Sequence, residues 1–173
     1  MQHLEVLNLG NNHINDSFPC RLRTLQSLKV LVLRSNSFHG PLSCPEKNYS
    51  SWRLLQIVDL ASNNFNGALP SELFSSCKAM SNSVNDPDSS AADHLGFDIL
   101  RFSQLRYLDR VTVASKGLQL ELVKILTIYT SVDLSSNNFH GEIPEEVGNL
   151  TALYVLDLSH NALAGQIPSA LVT

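Results

Sequence analysis

With 173 residues, 43% hydrophobic and 16% charged, the chain can bury a domain core, which excludes a disordered polypeptide. No apolar run reaches the roughly 18 residues of a membrane-spanning helix, and Met1-Gln2-His3-Leu4-Glu5 lacks the basic-then-apolar order of a signal peptide, so neither is expected within it. A net charge of −4 argues against nucleic acid or an anionic membrane as partner.

Taken in order, the chain repeats one template. Leu4, Leu7, Leu9, Asn12, Ile14, Phe18 and Pro19 form the first copy. Leu28, Leu31, Leu33, Asn36, Phe38, Gly40 and Leu42 form the second, and Leu55, Val58, Leu60, Asn63, Phe65, Gly67, Leu69 and Pro70 the third. The template then fails from Ser71 to about Ile128. It resumes with Val132, Leu134, Asn137, Phe139, Gly141, Ile143 and Pro144, and ends with Leu153, Leu156, Leu158, Asn161, Leu163, Gly165, Ile167 and Pro168. The aligned asparagines are separated by 24, 27, 74 and 24 positions, so one gap holds an insert of about 50 residues. This pattern predicts a leucine-rich-repeat solenoid: three repeats in 1–70, an island insert in 71–128 and two repeats in 129–173.

Each template position has a physical reason. The apolar columns stack on their counterparts in neighbouring coils and bury a core that no single repeat can bury alone. Leu-x-Leu is a short strand with alternate side chains in and out, and successive coils pair these strands about 4.8 Å apart in a parallel sheet on the concave face. The asparagine turns the chain off the strand, where its amide both donates and accepts for backbone groups left orphaned by the coil. The glycine four residues later suits a positive φ, and Asp16 is expected to take that conformation in the first copy.

Within the insert, Ser71-Glu72-Leu73-Phe74 reads as a side-chain-capped helical turn. Ser81 to Asp98 has the composition of a mobile loop. Asp86, Asp88, Asp93 and Asp98 precede Arg101, Arg106, Arg110, Lys116 and Lys124. Alternation by two on either side of Lys116-Gly117 predicts a hairpin or an extended return strand. A loop this long is more often functional than passive. Rejoining near Thr130 is expected to bring Arg106, Arg110 and Lys116 beside Asp133 and Asp157.

Cys20 and Cys44 each lie eight residues after a template asparagine, within disulfide reach on adjacent coils, and imply an oxidising compartment. Cys77 is then left as a free thiol. Asn15-Asp16-Ser17, Asn48-Tyr49-Ser50 and Asn149-Leu150-Thr151 are glycosylation acceptors. The six histidines have no metal-ligand spacing, and no catalytic motif is present, so neither cofactor, metal nor enzymatic activity is expected. The outward strand positions include Arg34, Asp59, Asp133, Ser135, Asp157 and Ser159, a polar column suited to a peptide or protein ligand.

The unit tails Gly67-Ala68-Leu69-Pro70 and Gly141-Glu142-Ile143-Pro144, with Val132-Asp133-Leu134-Ser135-Ser136-Asn137-Asn138-Phe139, resemble the plant extracellular class of leucine-rich repeats. The order of repeats, long insert and terminal repeats resembles the C-terminal part of plant receptor-like proteins of the Cf and Verticillium-wilt-resistance type. So do Leu31-Val32-Leu33-Arg34-Ser35-Asn36 and the stretches Lys116-Gly117-Leu118 and Ile128-Tyr129-Thr130-Ser131. Some islands of that family carry Tyr six positions after a Lys, where this chain has Leu122 after Lys116. The resemblance implies a ligand- and co-receptor-binding ectodomain at the extracellular face of the plasma membrane, with co-receptor and adaptor receptor kinases as partners and membrane attachment through segments outside this chain. A secreted inhibitor of a microbial wall-degrading enzyme, a receptor-kinase ectodomain and an inactive gene fragment are the alternatives. The insert favours the receptor, since the inhibitors run as uninterrupted repeats.

Overall fold

The computed structural model describes residues 3–44, 52–81, 111–115, 118–122 and 130–172. The chain divides into two compact units, residues 1–82 with 130–173, and residues 83–129.

In the first unit each template copy begins with a three-residue strand: β1 Val6–Asn8, β2 Val30–Val32, β4 Ile57–Asp59, β8 Ser131–Asp133 and β10 Val155–Asp157. They form one parallel sheet in the order β1-β2-β4-β8-β10. Strand β8 pairs directly with β4, Val132 opposite Val58 and Asp133 opposite Asp59, so the coil resumes in register after the template gap. The Thr130 hydroxyl donates to the Ala152 carbonyl and ties the resumed coil to its successor.

A second parallel sheet follows the asparagine turn, from β3 His39–Pro41, β5 Asn64–Gly67, β9 Asn138–Gly141 and β11 Ala162–Leu163. In β5 and β9 the phenylalanine is buried while the residues flanking it are exposed. The buried rings stack: Phe38 on Phe65 at 5.9 Å between centroids, and Phe65 on Phe139 at 6.4 Å. Leu31, Val58 and Val132 from the long sheet and Leu33, Leu60 and Leu134 beyond it complete the core, each worth roughly 1.5–3 kcal/mol of burial. Trp52, 1% exposed, packs edge-on to Phe18 and donates its indole N–H to the Leu22 carbonyl.

The return side of each coil is short. Pro19, Pro70, Pro144 and Pro168 each precede one helical turn and accept from the residue three positions on. Of these four turns Ser71–Ser76 (α1) is α-helical, and Cys20–Thr24, Glu145–Asn149 and Ser169–Leu171 are 3₁₀. The N-cap of α1 is Pro70 and no side chain caps it, which corrects the expectation of a Ser-capped turn. The reason is the proline itself, whose extended conformation sets the entry and leaves Ser71 already helical. Glycines 40, 67, 141 and 165 do have positive φ, but Asp16 does not. Positive φ falls instead on a second position that sequence reading passes over, Asn11, Ser35, Ser62, Ser136 and His160, each immediately before the template asparagine.

That asparagine joins the coils. The Asn63 amide donates to Leu60 and Ala61 of its own coil and to Leu33 of the coil before, while its oxygen accepts from Phe38 N. Asn137 repeats this with Leu134, Ser135, Leu60 and Phe65, and Asn161 with Leu158, Ser159, Leu134 and Phe139. In the second unit, the alternation around Lys116-Gly117 corresponds to an antiparallel pair, β6 Val111–Ser115 with β7 Leu118–Leu122, Val113 opposite Leu120.

Cys20 and Cys44 form a disulfide with Cα atoms 5.7 Å apart, bracing the return sides of the first two coils. Cys77 is free and buried, and burial pushes its thiol up to about 12.

Replacing Asn137 by alanine strands Phe65 N and three carbonyls in a buried site. It is expected to cost roughly 2–4 kcal/mol in urea denaturation. Asn12→Ala, which removes two bonds at an exposed position, is expected to cost roughly 1 kcal/mol or less.

Candidate functional site

The outward column of the long sheet runs Asn8, Val32, Asp59, Asp133 and Asp157, in register from strand to strand. Two residues further along lie Gly10, Arg34, Ala61, Ser135 and Ser159. Four of the five column residues do the same local work. Asn8 Oδ1 accepts from Gly10 N at 3.0 Å, Asp59 Oδ1 from Ala61 N at 3.2 Å, Asp133 Oδ1 from Ser135 N at 3.0 Å and Asp157 Oδ1 from Ser159 N at 3.0 Å. The side chain thus closes a turn at the end of the strand. Val32 is the exception. Its coil instead contributes Arg34, whose Nη1 reaches Asp59 Oδ2 at 2.9 Å. Gly10 makes room for this arginine, because a Cβ there would meet Arg34 Cγ at 3.1 Å.

The column is not uniformly open. Asp59 and Asp133 are 0% and 2% exposed, Ser135 and Asp157 are half-buried, and Ser159 is exposed. The sequence pattern places all of these on an accessible face, and the structure separates them. Arg34, Asp59 and Asp133 form a largely sequestered cluster; Asp157 and Ser159 form the more exposed rim at β10, the edge strand of the sheet. Tyr154, immediately before β10, is 64% exposed and was not singled out by the repeat pattern. Its signal was available: Glu5, Lys29, Gln56 and Thr130 hold the equivalent position, and a large aromatic stands out among them. Arg106, Arg110 and Lys116, and with them the expected approach of the basic segment to Asp133 and Asp157, lie outside the described residues, as does Asn48. Asn15 and Asn149 are exposed.

Burial raises Asp59 to about 6; the Arg34 charge opposes the rise and the Asp133 charge adds to it. Burial also raises Asp133, against the Ser135 hydroxyl and amide that stabilise its carboxylate, with Asp157 raising it further. Among the described residues no cluster of His, Cys, Asp and Glu has the arrangement to hold a metal ion. No helix among them is long and apolar enough to cross a membrane. What the column offers is ordered carboxylate and hydroxyl groups along one parallel sheet.

Family models described as Leucine Rich repeat match residues 1–17, and as Leucine Rich Repeat residues 54–76, 130–150 and 152–173. Receptor-like protein 34 of Arabidopsis thaliana is 47% identical over 156 residues, covering 90% of this chain and 15% of the relative. Receptor-like protein 43 of the same plant is 46% identical over 152 residues, covering 88% and 20%. The chain belongs with the plant leucine-rich-repeat receptor-like proteins. It spans between 15% and 20% of the length of these relatives. Among solved structures, PEPR1 with AtPEP1 superposes with a TM-score of 0.60 at 26% identity, covering 96% of this chain and 16% of that one. The Arabidopsis receptor kinase HAESA, with the peptide hormone IDA and the co-receptor SERK1, gives 0.60 at 24% identity, covering 99% and 20%, and shows the shared solenoid fold.

The raised carboxylates set a pH dependence. Both hold a proton more tightly folded than unfolded, so their contribution to stability is present below the ordinary carboxylate range. For Asp59 it is lost as pH rises through about 6, and for Asp133 as pH rises above the ordinary carboxylate range. Asp133→Asn keeps an oxygen acceptor for Ser135 N and removes the buried charge. In melting curves across this window, the variant is expected to gain on the parent as pH rises. A difference independent of pH contradicts the assignment.

Proposed function

We propose that this chain is part of the ligand-binding ectodomain of a plant cell-surface receptor-like protein, acting by binding rather than catalysis at the extracellular face of the plasma membrane. The observation that carries this reading is 47% identity to Receptor-like protein 34 across 90% of the chain. The Cys20–Cys44 disulfide supports it, because such a bond persists in an oxidising compartment.

The partner surface is the rim at the β10 side of the long sheet, where Asp157 and Ser159 offer a carboxylate and a hydroxyl and Tyr154 an exposed ring just before the strand. Ser135 continues it toward the cluster of Arg34, Asp59 and Asp133. A rigid strand end pre-pays the ordering cost of a binding surface, so short polar groups suffice to orient an extended peptide. HAESA is seen with a peptide hormone and a co-receptor, and PEPR1 with AtPEP1. By analogy, the partners of this chain are a peptide or protein ligand together with co-receptor and adaptor receptor kinases. The basic residues Arg106, Arg110 and Lys116 are assigned to the same task on their charge, which governs partner choice and association rate more than final affinity. Asp59 and Asp133 act on this surface indirectly, by fixing the strand ends from which the rim projects.

The test substitutes this segment for its counterpart in full-length Receptor-like protein 34 and introduces Asp157→Arg with Ser159→Arg. Co-purification of SERK-class co-receptor kinases from leaf tissue is expected to fall about tenfold, or roughly 1.4 kcal/mol, with surface delivery unchanged. Undiminished co-purification contradicts the assigned rim.

A further inference from the structure

The return side of the first three coils carries a charge opposite to that of the chain. Among its described residues, 19–27, 52–56 and 68–81, stand Arg21, Arg23, Arg53 and Lys78, against Glu72 as the one acid, in a chain of net charge −4. Arg21 and Arg23 lie on the 3₁₀ turn Cys20–Thr24, Arg53 follows the buried Trp52, and Lys78 opens the 3₁₀ turn Lys78–Met80. Trp52 draws these segments together. Its indole N–H donates to the Leu22 carbonyl, and its own carbonyl accepts from Lys78 N at 3.3 Å. The Arg23 guanidinium lies over its ring, with Cζ 5.6 Å from the centroid.

Arg21, Arg53 and Lys78 are exposed and Arg23 is half-buried. The ion pairs among the described residues are Lys29–Glu5 and Arg34–Asp59, at the ends of the long-sheet strands, so none of these four cations has a carboxylate partner there. Arg23 is held by an aromatic face instead of an acid, which fixes the guanidinium and leaves its charge unneutralised. A fixed guanidinium flanked by exposed cations is prepared for carboxylates, which its planar fork accepts two bonds at a time.

We propose that this patch binds a carboxylated polysaccharide, a polymer of uronic acids, on a surface separate from the rim assigned above. The choice over an acidic peptide follows from the backbone. An extended peptide gains affinity by adding to an open sheet edge. Here the main chain is committed to its own turns: Leu22 N donates to Pro19, Leu25 N to Leu22, Met80 N to Cys77 and Ser81 N to Lys78. What remains on offer is side-chain charge, contributed by successive coils through Arg23, Arg53 and Lys78. A uronic-acid polymer carries a carboxylate on every ring, so each cation meets one without any backbone contact. The Cys20–Cys44 bond, with Cα atoms 5.7 Å apart, holds two of these coils at fixed separation on this side.

The experiment passes the secreted, disulfide-bonded chain over immobilised polygalacturonate in calcium-free buffer, with fully methyl-esterified galacturonan and poly-L-glutamate as parallel matrices. Retention on polygalacturonate is expected to exceed that on either of the others and to vanish near 1 M salt, where screening acts within about 3 Å. Arg53→Gln with Lys78→Gln, both exposed, is expected to keep the parent melting curve. The same double variant is expected to bind about three- to tenfold more weakly, since an exposed ion pair contributes little singly. Equal retention on the methyl-esterified polymer, or a double variant that melts and binds as the parent does, overturns the patch. Tighter retention on poly-L-glutamate assigns the patch to an acidic protein segment and overturns the polysaccharide. Each of these failures leaves the rim standing, because no rim residue is altered.

Discussion

The asparagine amide between consecutive coils is the interaction on which the remaining structure depends. A coil of 24 residues turns off its strand within two positions, and the carbonyls it exposes there point into the stack, away from water. One amide answers three of them and its oxygen answers an N–H of the coil before, as Asn63 and Asn137 show. These bonds are cross-coil, so the stack is held by polar contacts at a fixed spacing as well as by stacked apolar columns. The fixed spacing is what lets Phe38, Phe65 and Phe139 lie nearly parallel, with interplanar angles of 8° and 12°. It also carries the coil across the gap in sequence. Phe65 N is 72 positions from the Asn137 oxygen that accepts it, yet the bond is the same as those on either side.

The outward column follows from the same spacing. Once strands stand in register, a strand-ending Asp in one coil faces a strand-ending Asp in the next, and repulsion accumulates unless something offsets it. Three devices share that task. Each Asp Oδ1 accepts from the amide two residues on; Arg34 occupies Asp59 Oδ2; and the Ser135 hydroxyl adds a second donor to Asp133. Burial still pushes Asp59 up to about 6. The carboxylates nearest the centre of the sheet therefore serve the fold.

How much of this was legible beforehand depended on whether the property repeats. The apolar columns and the asparagine role follow from periodicity, because every copy solves the same packing problem. The Cys20–Cys44 bond followed from equal offsets for the same reason. Properties that belong to one coil were harder to read. Trp52 lies in the irregular stretch of the long second repeat, where no period marks it as core. The positive-φ position before each asparagine is held by Asn, Ser or His, so composition conceals a conformation the backbone repeats five times. The burial of Asp59 and Asp133 was illegible because strand alternation tells which face a residue takes, and exposure also depends on what surrounds that face.

If the asparagine bonds make residues 1–82 and 130–173 one cooperative body, its coils cannot open separately. Native-state hydrogen exchange tests this most directly. The amides of Phe38, Phe65 and Phe139, which donate to the oxygens of Asn63, Asn137 and Asn161, report on three successive junctions. The account predicts that Phe65, at the junction across the gap, exchanges with the same free energy and the same denaturant dependence as Phe38, both through global unfolding. If Phe65 and Phe139 exchange through a smaller opening that leaves Phe38 protected, the two flanks fold independently and the central claim fails.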